Sequence, residues 1–336
     1  MTHSVTPPSR IAIGVDLGGT SIKALAVTEG GEIVARSSRP TEVSTGQARV
    51  VKNLAAVIHD LDAQLRQAAP SRAASADPAN LSPVGVGVPG VLDVRQGLVI
   101  ASPNFPSWEG FPLQARLQEA CGRPVVLEND ANAAALGEQW QGAAAGQRDF
   151  LFVTVGTGVG SGLVLDGKLW RGPGGRAGEF GHLKVVPDGE PCGCGSRGCL
   201  ERYANAAALE RYALDALEKG GAGPLRTLAM DRPEALDPAI IAQAARSGDE
   251  AARSAYRRFT VHLAMGIADV VNLLDLRCYI LGGGISDAFD LFAPWLREEV
   301  AARVYGIPID AITIRKARCG NNAGSLGAAH LVLAGG

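Results

Sequence analysis

The sequence predicts an α/β fold built as two domains with a duplicated core. Three observations predict it. Strand signals alternate with helix signals over most of the length. One arrangement, strand, polar glycine turn, strand, turn, strand, opens at Ile11 and begins again at Phe150. A chain of 336 residues with 46% apolar content is also long for one core.

The elements run in order along the chain. Residues 11–15 and 24–27 read as paired strands, and 29–32 (Glu-Gly-Gly-Glu) as the turn to a third at 33–37. Residues 47–69 read as a helix, with Val50, Leu54, Val57, Ile58, Leu61 and Leu65 on one face. The Ala/Ser/Pro-rich stretch 70–83 reads as a loop, and 84–88 as a short buried strand ended by Pro89-Gly90. Residues 125–127 form another strand and 131–142 a helix. The second copy has strands at 150–155, 161–165 and 168–171, with a glycine turn at 156–160 and a turn at Asp166-Gly167. Helices are expected over about 200–219, 238–246 and 250–274. A strand at 278–281 ends in Gly282-Gly283-Gly284, 312–316 is the last strand, and 322–333 the last helix.

Composition narrows the function classes. A net charge of −2 gives nothing that points to nucleic acid as a partner. No apolar run is long enough to span a membrane. Residues 1–10 are polar with two prolines and lack an apolar signal-peptide core, so a loose tail and a cytoplasmic location are expected.

The densest chemical signal lies at 179–201. Cys192, Cys194 and Cys199 fall within eight positions, and His182 sits ten residues before the first. Cys₃His is a closed tetrahedral zinc set. The glycines at 193, 195 and 198 mark a tight loop rather than a buried apolar run, and a disulfide framework suits small secreted chains better than one of 336 residues. Glu179 and Glu201 lie beside these ligands without being needed as ligands, so a metal there would fix two carboxylates relative to each other. Cys121, Cys278 and Cys319 are scattered and read as core thiols.

Two glycine turns come after strands in matching positions. Gly18-Gly19-Thr20 and Gly156-Thr157-Gly158-Val159-Gly160 read either as plain hairpins or as a pair of phosphate cradles, because glycine lets backbone N–H groups approach an anion. Thr20 and Thr157 add hydroxyls and Lys23 adds charge. Asp16, at a strand end, is placed to organise Mg²⁺ through water. There is no Walker motif and no G-x-G-x-x-G opening a helix after a strand. Gly282-Gly283-Gly284 reads either as a strand-to-helix turn or as a surface under a purine ring. Asn129-Asp130 reads either as an ordinary helix cap or as a site where Asp130 is a base kept ionised by a helix N-terminus.

Together these motifs resemble the ROK family (repressors, open reading frames and sugar kinases). The segments that carry the resemblance are Asp16-x-Gly18-Gly19-Thr20-x-x-Lys23, Glu128-Asn129-Asp130-Ala131-Asn132, Gly156-Thr157-Gly158-x-Gly160, Glu179-x-Gly181-His182 and Cys192-x-Cys194-Gly195-x-x-Gly198-Cys199-x-Glu201. They occur in order, and the match runs from about Ile11 to the end. The resemblance implies a two-lobed fold of the actin–hexokinase type with the active site in the cleft. The small lobe would comprise 11–128 with the C-terminal helix 322–336, and the large lobe 129–321 with the zinc loop 179–201. It implies Asp130 as catalytic base, with Asn129, Asp130, Glu179, His182 and Glu201 on the sugar hydroxyls, and Asn104 also reaching the sugar. It implies structural Zn²⁺ on His182, Cys192, Cys194 and Cys199. ATP and Mg²⁺ would lie between the glycine turns, so Gly18, Gly19, Thr20, Lys23, Gly156, Thr157, Gly158 and Gly160 are the candidates for the phosphates and Asp16 for Mg²⁺; Gly283 and Gly284 stay the candidates for the purine. A homodimer is expected on the same ground.

Within the family the pattern looks most like bacterial glucokinases, so the expected reaction is ATP-dependent phosphorylation of the 6-hydroxyl of glucose. Arg202-Tyr203-Ala204-Asn205 departs from the Gln-Tyr-Ala-Ser-like run that many such glucokinases carry, and 70–83 looks longer than usual. Three alternatives stand. One is a kinase for N-acetylmannosamine, N-acetylglucosamine or fructose, and another is polyphosphate as donor. The third is a sugar-sensing repressor, which about fifteen residues ahead of Asp16 are too few to equip with a helix-turn-helix.

Overall fold

The computed structural model describes residues 10–68, 83–231 and 236–335, so the expected N-terminal tail before Arg10 and the loop over 70–82 lie outside the described residues. The chain divides into two compact units. The first comprises the described residues up to Gly146, Arg171–Ala177 and those from Arg318 on; the second comprises Gln147–Trp170 and Gly178–Ala317.

The first unit holds β1 (Ile11–Leu17), β2 (Ser21–Thr28), β3 (Ile33–Pro40), β4 (Val84–Val88) and β7 (Val125–Asn129), in sheet order β3-β2-β1-β4-β7. The first three run antiparallel; β4 joins β1 in parallel and β7 joins β4 in parallel. The hairpin of β5 (Val91–Asp93) and β6 (Leu98–Ala101) comes directly after β4. On one face, helix α1 (Gln47–Ala68) buries Val50, Leu54, Val57, Ile58 and Leu61 in a core shared with Ile13, Val15, Val84 and Val86. Helix α2 (Leu113–Cys121) adds Leu113 and Leu117 to the same core.

The other face is built for close approach. Gly14 of β1 and Gly85 of β4 are register partners. A Cβ on Gly14 would stand 1.9 Å from the Ser325 carbonyl oxygen, and one on Gly85 1.8 Å from that of Ala328. The C-terminal helix (Ala323–Leu333) therefore lies on a strip of bare backbone, which a larger residue in either strand would push away. Helix α3 (Asp130–Gln141) packs beside it, with Gly327 so close that a Cβ would meet the Ala133 carbonyl. This packing holds α3 in the first unit. The expected domain boundary at 128/129 thus falls inside that unit, and the division comes after Gly146.

The second unit repeats the sheet. β8 (Phe150–Val155), β9 (Val159–Leu165), β10 (Lys168–Leu169), β11 (Cys278–Gly282) and β12 (Thr313–Lys316) take the order β10-β9-β8-β11-β12. The same three-antiparallel, two-parallel pattern recurs. The duplication read from the sequence is present in strand order and direction alike. The helices here are α4 (Ala206–Glu218), α5 (Pro224–Asp231), α6 (Pro238–Arg246), α7 (Glu250–Leu274) and α8 (Phe289–Ala301), with the C-terminal helix becoming α9 in chain order. The long α7 contributes Tyr256, Phe259, Leu263 and Ile267 to a core with Leu209 and Tyr212 of α4 and Leu151, Val153 and Val155 of β8.

Two boundaries differ from expectation for local reasons. The helix expected from about 200 begins at Ala206, because Leu200–Arg202 form a separate single turn and Asn205 caps α4. The strand expected at 168–171 stops at Leu169, and Arg171 instead pairs with Glu128 in the first unit. The β5–β6 hairpin, α2, α5 and α8 are elements beyond those the sequence pattern predicts; α8 contains Pro294, which masks its helical pattern.

Candidate functional site

In the first unit the candidate site residues include those at the ends of β1 and β7. Gly18 closes the first glycine turn by donating its N–H to the Ser21 carbonyl at 3.0 Å. The Thr41 hydroxyl donates to the Gly18 carbonyl at 2.7 Å, and the Thr41 N–H to that of Thr20 at 2.9 Å, so the turn is anchored from a neighbouring segment. Thr20 is exposed. Asn104 lies against Gly19, where a Cβ would come within 3.3 Å of its Nδ2. Lys23 sits in β2 directly across from Asp16. Burial and the nearby Asp130 push the Asp16 carboxyl up to about 6, against the opposing pull of Lys23. A buried carboxyl with a second carboxylate nearby is a donor set suited to a hard divalent cation such as Mg²⁺.

The β7–α3 junction assigns the cap. Asn129 is the cap: its Oδ1 accepts the N–H groups of Ala131 at 3.0 Å and Asn132 at 3.1 Å. Asp130 is the first helical residue, half-buried, and one of its oxygens accepts the Ala131 N–H at 2.8 Å. Its carboxylate therefore sits in the field of the helix N-terminus without serving as the cap. Beneath them lies a residue that the sequence marks only as the start of a motif. Glu128 is 1% exposed; its Oε1 accepts the Asn129 N–H and the Asn132 Nδ2, both at 2.9 Å. Its Oε2 is paired with the Arg171 guanidinium at 2.6 Å.

In the second unit, His182, Cys192, Cys194 and Cys199 converge with ligand atoms all within 4.8 Å of one another. The Cys194 and Cys199 sulfurs stand 3.6 Å apart, and the Cys192 sulfur 3.8 Å from His182 Nδ1. These spacings match the edge of a tetrahedron with metal–ligand bonds of about 2.3 Å, so the four residues fit the zinc their spacing predicts. Nδ1 of His182 faces the cluster, and its Nε2 faces a Glu179 oxygen at 3.9 Å. That is the carboxylate–imidazole order by which metal-bound histidines are oriented. Lys184 donates to the Cys199 sulfur at 2.9 Å and to the His182 carbonyl at 3.0 Å, placing a cation against the cluster of sulfurs.

The second glycine turn is tied to the chain just after this cluster. Glu201 Oε2 accepts the Val159 N–H at 2.9 Å. A Cβ on Gly158 would come within 2.7 Å of that same oxygen, which accounts for the glycine. Gly160, expected in the turn, is paired within the sheet opposite Thr154; the turn proper is closed by the Gly156 N–H on the Gly158 carbonyl at 3.0 Å. Gly283 has φ +81°, and its Cβ would come 2.4 Å from the Val155 carbonyl, so β11 ends pressed against the end of β8. Gly284 faces open space.

The comparisons agree with this geometry. The ROK family model matches residues 12–334. The chain is 36% identical to a glucokinase of Thermotoga maritima over 325 residues, covering 97% of this chain and 98% of that protein. A xylose repressor of Caldicellulosiruptor bescii is 29% identical over 321 residues, covering 96% of this chain and 77% of the repressor. The crystal structure of a ROK family glucokinase from Streptomyces griseus, in complex with glucose and AMPPNP, aligns with a TM-score of 0.78 at 34% identity, covering 97% of this chain and all of that one. The mixed α/β fold of the actin–hexokinase type is thus borne out. With its duplicated sheets, its Asp130 junction and its Cys₃His cluster in the expected order, the chain belongs to the ROK family.

Proposed function

We propose that this protein is an ATP-dependent glucose kinase that phosphorylates the 6-hydroxyl. The observation that carries the reading is Asp130 at the first turn of α3, separate from the cap, between Asn129 and Asn132, which the buried Glu128 holds. It is supported by glucokinase relatives at 36% identity along nearly the whole chain. Phosphoryl transfer asks the protein for positioning and charge stabilisation more than for covalent chemistry.

Each residue then has a task. Asp130 accepts the proton of the attacking hydroxyl. Asn104, Asn129, Glu179, His182 and Glu201 are assigned to the other sugar hydroxyls, a mix of acceptors, amides and an imidazole that matches groups able both to donate and to accept. For His182 and Glu201 the assignment is shared, since one ring nitrogen faces the Cys/His cluster and one carboxylate oxygen holds Val159. The two glycine turns, with Thr20, Thr157 and Lys23, bind the phosphates, and Gly283 and Gly284 lie under the base. Mg²⁺, held through Asp16, supplies charge neutralisation at the transferring phosphate when bound. His182, Cys192, Cys194 and Cys199 would hold zinc, which would fix Glu179 and Glu201 relative to each other. The enzyme is taken to work in the cytoplasm, where ATP is available, and as a homodimer.

A repressor is the second reading, since the chain also matches the xylose repressor along most of its length. The retention of both Asp16 and Asp130 favours catalysis, because sugar sensing alone needs no base. Incubation with glucose and ATP, with phosphorus NMR of the product, tests the proposal. Glucose 6-phosphate is expected; sugar binding without phosphorylated product would leave the sensor reading in its place.

A further inference from the structure

Asn205 is the one residue of the Arg202–Asn205 departure whose side chain is hydrogen-bonded to the second glycine turn. It is 5% exposed and makes two different hydrogen bonds. Oδ1 accepts the Ala208 N–H at 2.9 Å and caps α4. Nδ2 donates to the Thr157 carbonyl at 2.9 Å, in the middle of the turn. The amide orientation is fixed by chemistry, since the Ala208 N–H needs an acceptor and the Thr157 carbonyl a donor. The next residue adds a third link: the Ala206 N–H donates to the Gly156 carbonyl at 2.8 Å.

The consequence is a turn whose polar groups are sorted. The carbonyls of Gly156 and Thr157 are drawn toward the start of α4, and the Val159 N–H is held by Glu201. A carbonyl drawn to one side cannot face an anion on the other, so Asn205 and Ala206 turn two repulsive dipoles away from an anion in the turn. Glycine at 156 and 158 leaves the turn little intrinsic rigidity, so its shape depends on these outside bonds. The segment starts two residues after Cys199, which is fully buried in the Cys/His cluster.

We propose that Asn205 is a positioning residue for the nucleotide: by holding the Thr157 carbonyl it keeps the Gly156–Thr157–Gly158 turn shaped for the phosphates. The inference rests on the reading of this turn as a phosphate site. A serine at the same position separates this role from capping. Serine caps a helix about as well as asparagine, but its single short hydroxyl, engaged with the Ala208 N–H, does not reach Thr157.

The test is calorimetric titration of wild-type, Asn205→Ser and Asn205→Ala proteins with AMPPNP and, separately, with glucose, alongside thermal melts. Asn205→Ser is expected to bind AMPPNP about 5-fold more weakly, the worth of one hydrogen bond, with glucose affinity changed less than about 2-fold. Its melting temperature is expected to stay within about 2 °C of wild type, while Asn205→Ala loses cap and link together and melts lower. Asn205→Ser binding AMPPNP as tightly as wild type would overturn the proposal. So would a parallel loss of AMPPNP and glucose affinity with a lowered melt, which is the mark of a purely structural residue. Wild-type protein that binds glucose but not AMPPNP would remove the nucleotide reading itself, and this proposal with it.

Discussion

The carboxylate of Glu128 is buried beneath the Asn129–Asp130 junction and paired with Arg171 at 2.6 Å, across 43 residues of sequence. A buried carboxylate needs such a partner, because desolvation leaves its charge uncompensated. The Arg171 side chain remains partly exposed, so the pair is worth less than a fully buried one. Arg171→Met should destabilise the protein by about 1–3 kcal/mol. It should also lower kcat, because Glu128 holds the Asn129 N–H and the Asn132 amide that set the junction. Urea denaturation and steady-state kinetics check both; unchanged stability would show that the pair is incidental.

Asp16 predicts a pH signature in metal-free protein. Its carboxyl is raised to about 6 from an ordinary 3.8, chiefly by burial and next by Asp130. The folded state therefore binds the proton more tightly than the unfolded state. Stability is lost as pH rises from about 4 through 6, and the cost is fully present above that range. Asp16→Asn removes it. In EDTA the variant should be more stable than wild type at pH 8 by about 1–3 kcal/mol, the gap shrinking toward pH 4. It should nonetheless lose kinase activity. A variant less stable than wild type at pH 8 would contradict this account of Asp16.

The Cys/His cluster predicts metal. Elemental analysis of carefully handled protein should find about one zinc per chain. Cys194→Ser should lose the metal and activity together, because Glu179 faces His182 and Glu201 lies two residues beyond Cys199. Protein that is fully active without any metal would remove the cluster from the account.

Asp130→Asn should lower kcat by about 10²–10⁴ while changing glucose affinity far less. The structure makes this variant a clean one, since the helix cap belongs to Asn129 and stays in place. Near-normal kcat would mean that another group takes the proton.

The features legible in the sequence are local ones. The Cys192, Cys194, Cys199 spacing, Asp16 near a strand end, Asp130 at a helix start and the repeated strand order are all carried by neighbours in the chain. The features that stay hidden are held by contacts between distant residues. Glu128 with Arg171, Asn205 with Thr157, and the Gly14–Gly85 strip under the C-terminal helix each join segments with no local signal of their own. Asn205 shows the difference well. As sequence it is a departure from a familiar run; as structure it is a cap and a bridge at once. The domain boundary moves for a similar reason, because α3 is placed by its packing against α9 rather than by its position after a strand.

Glucose phosphorylation is tested most directly by a coupled ADP-release assay over a panel of sugars. With ATP as donor, kcat/KM for glucose should exceed that for N-acetylmannosamine by at least about 10-fold, a difference of roughly 1.4 kcal/mol in transition-state binding. Fructose and N-acetylglucosamine should also fall below glucose. A reversed ratio would contradict the glucose assignment while leaving the fold and Asp130 in place; no ADP release with any sugar would contradict the kinase itself.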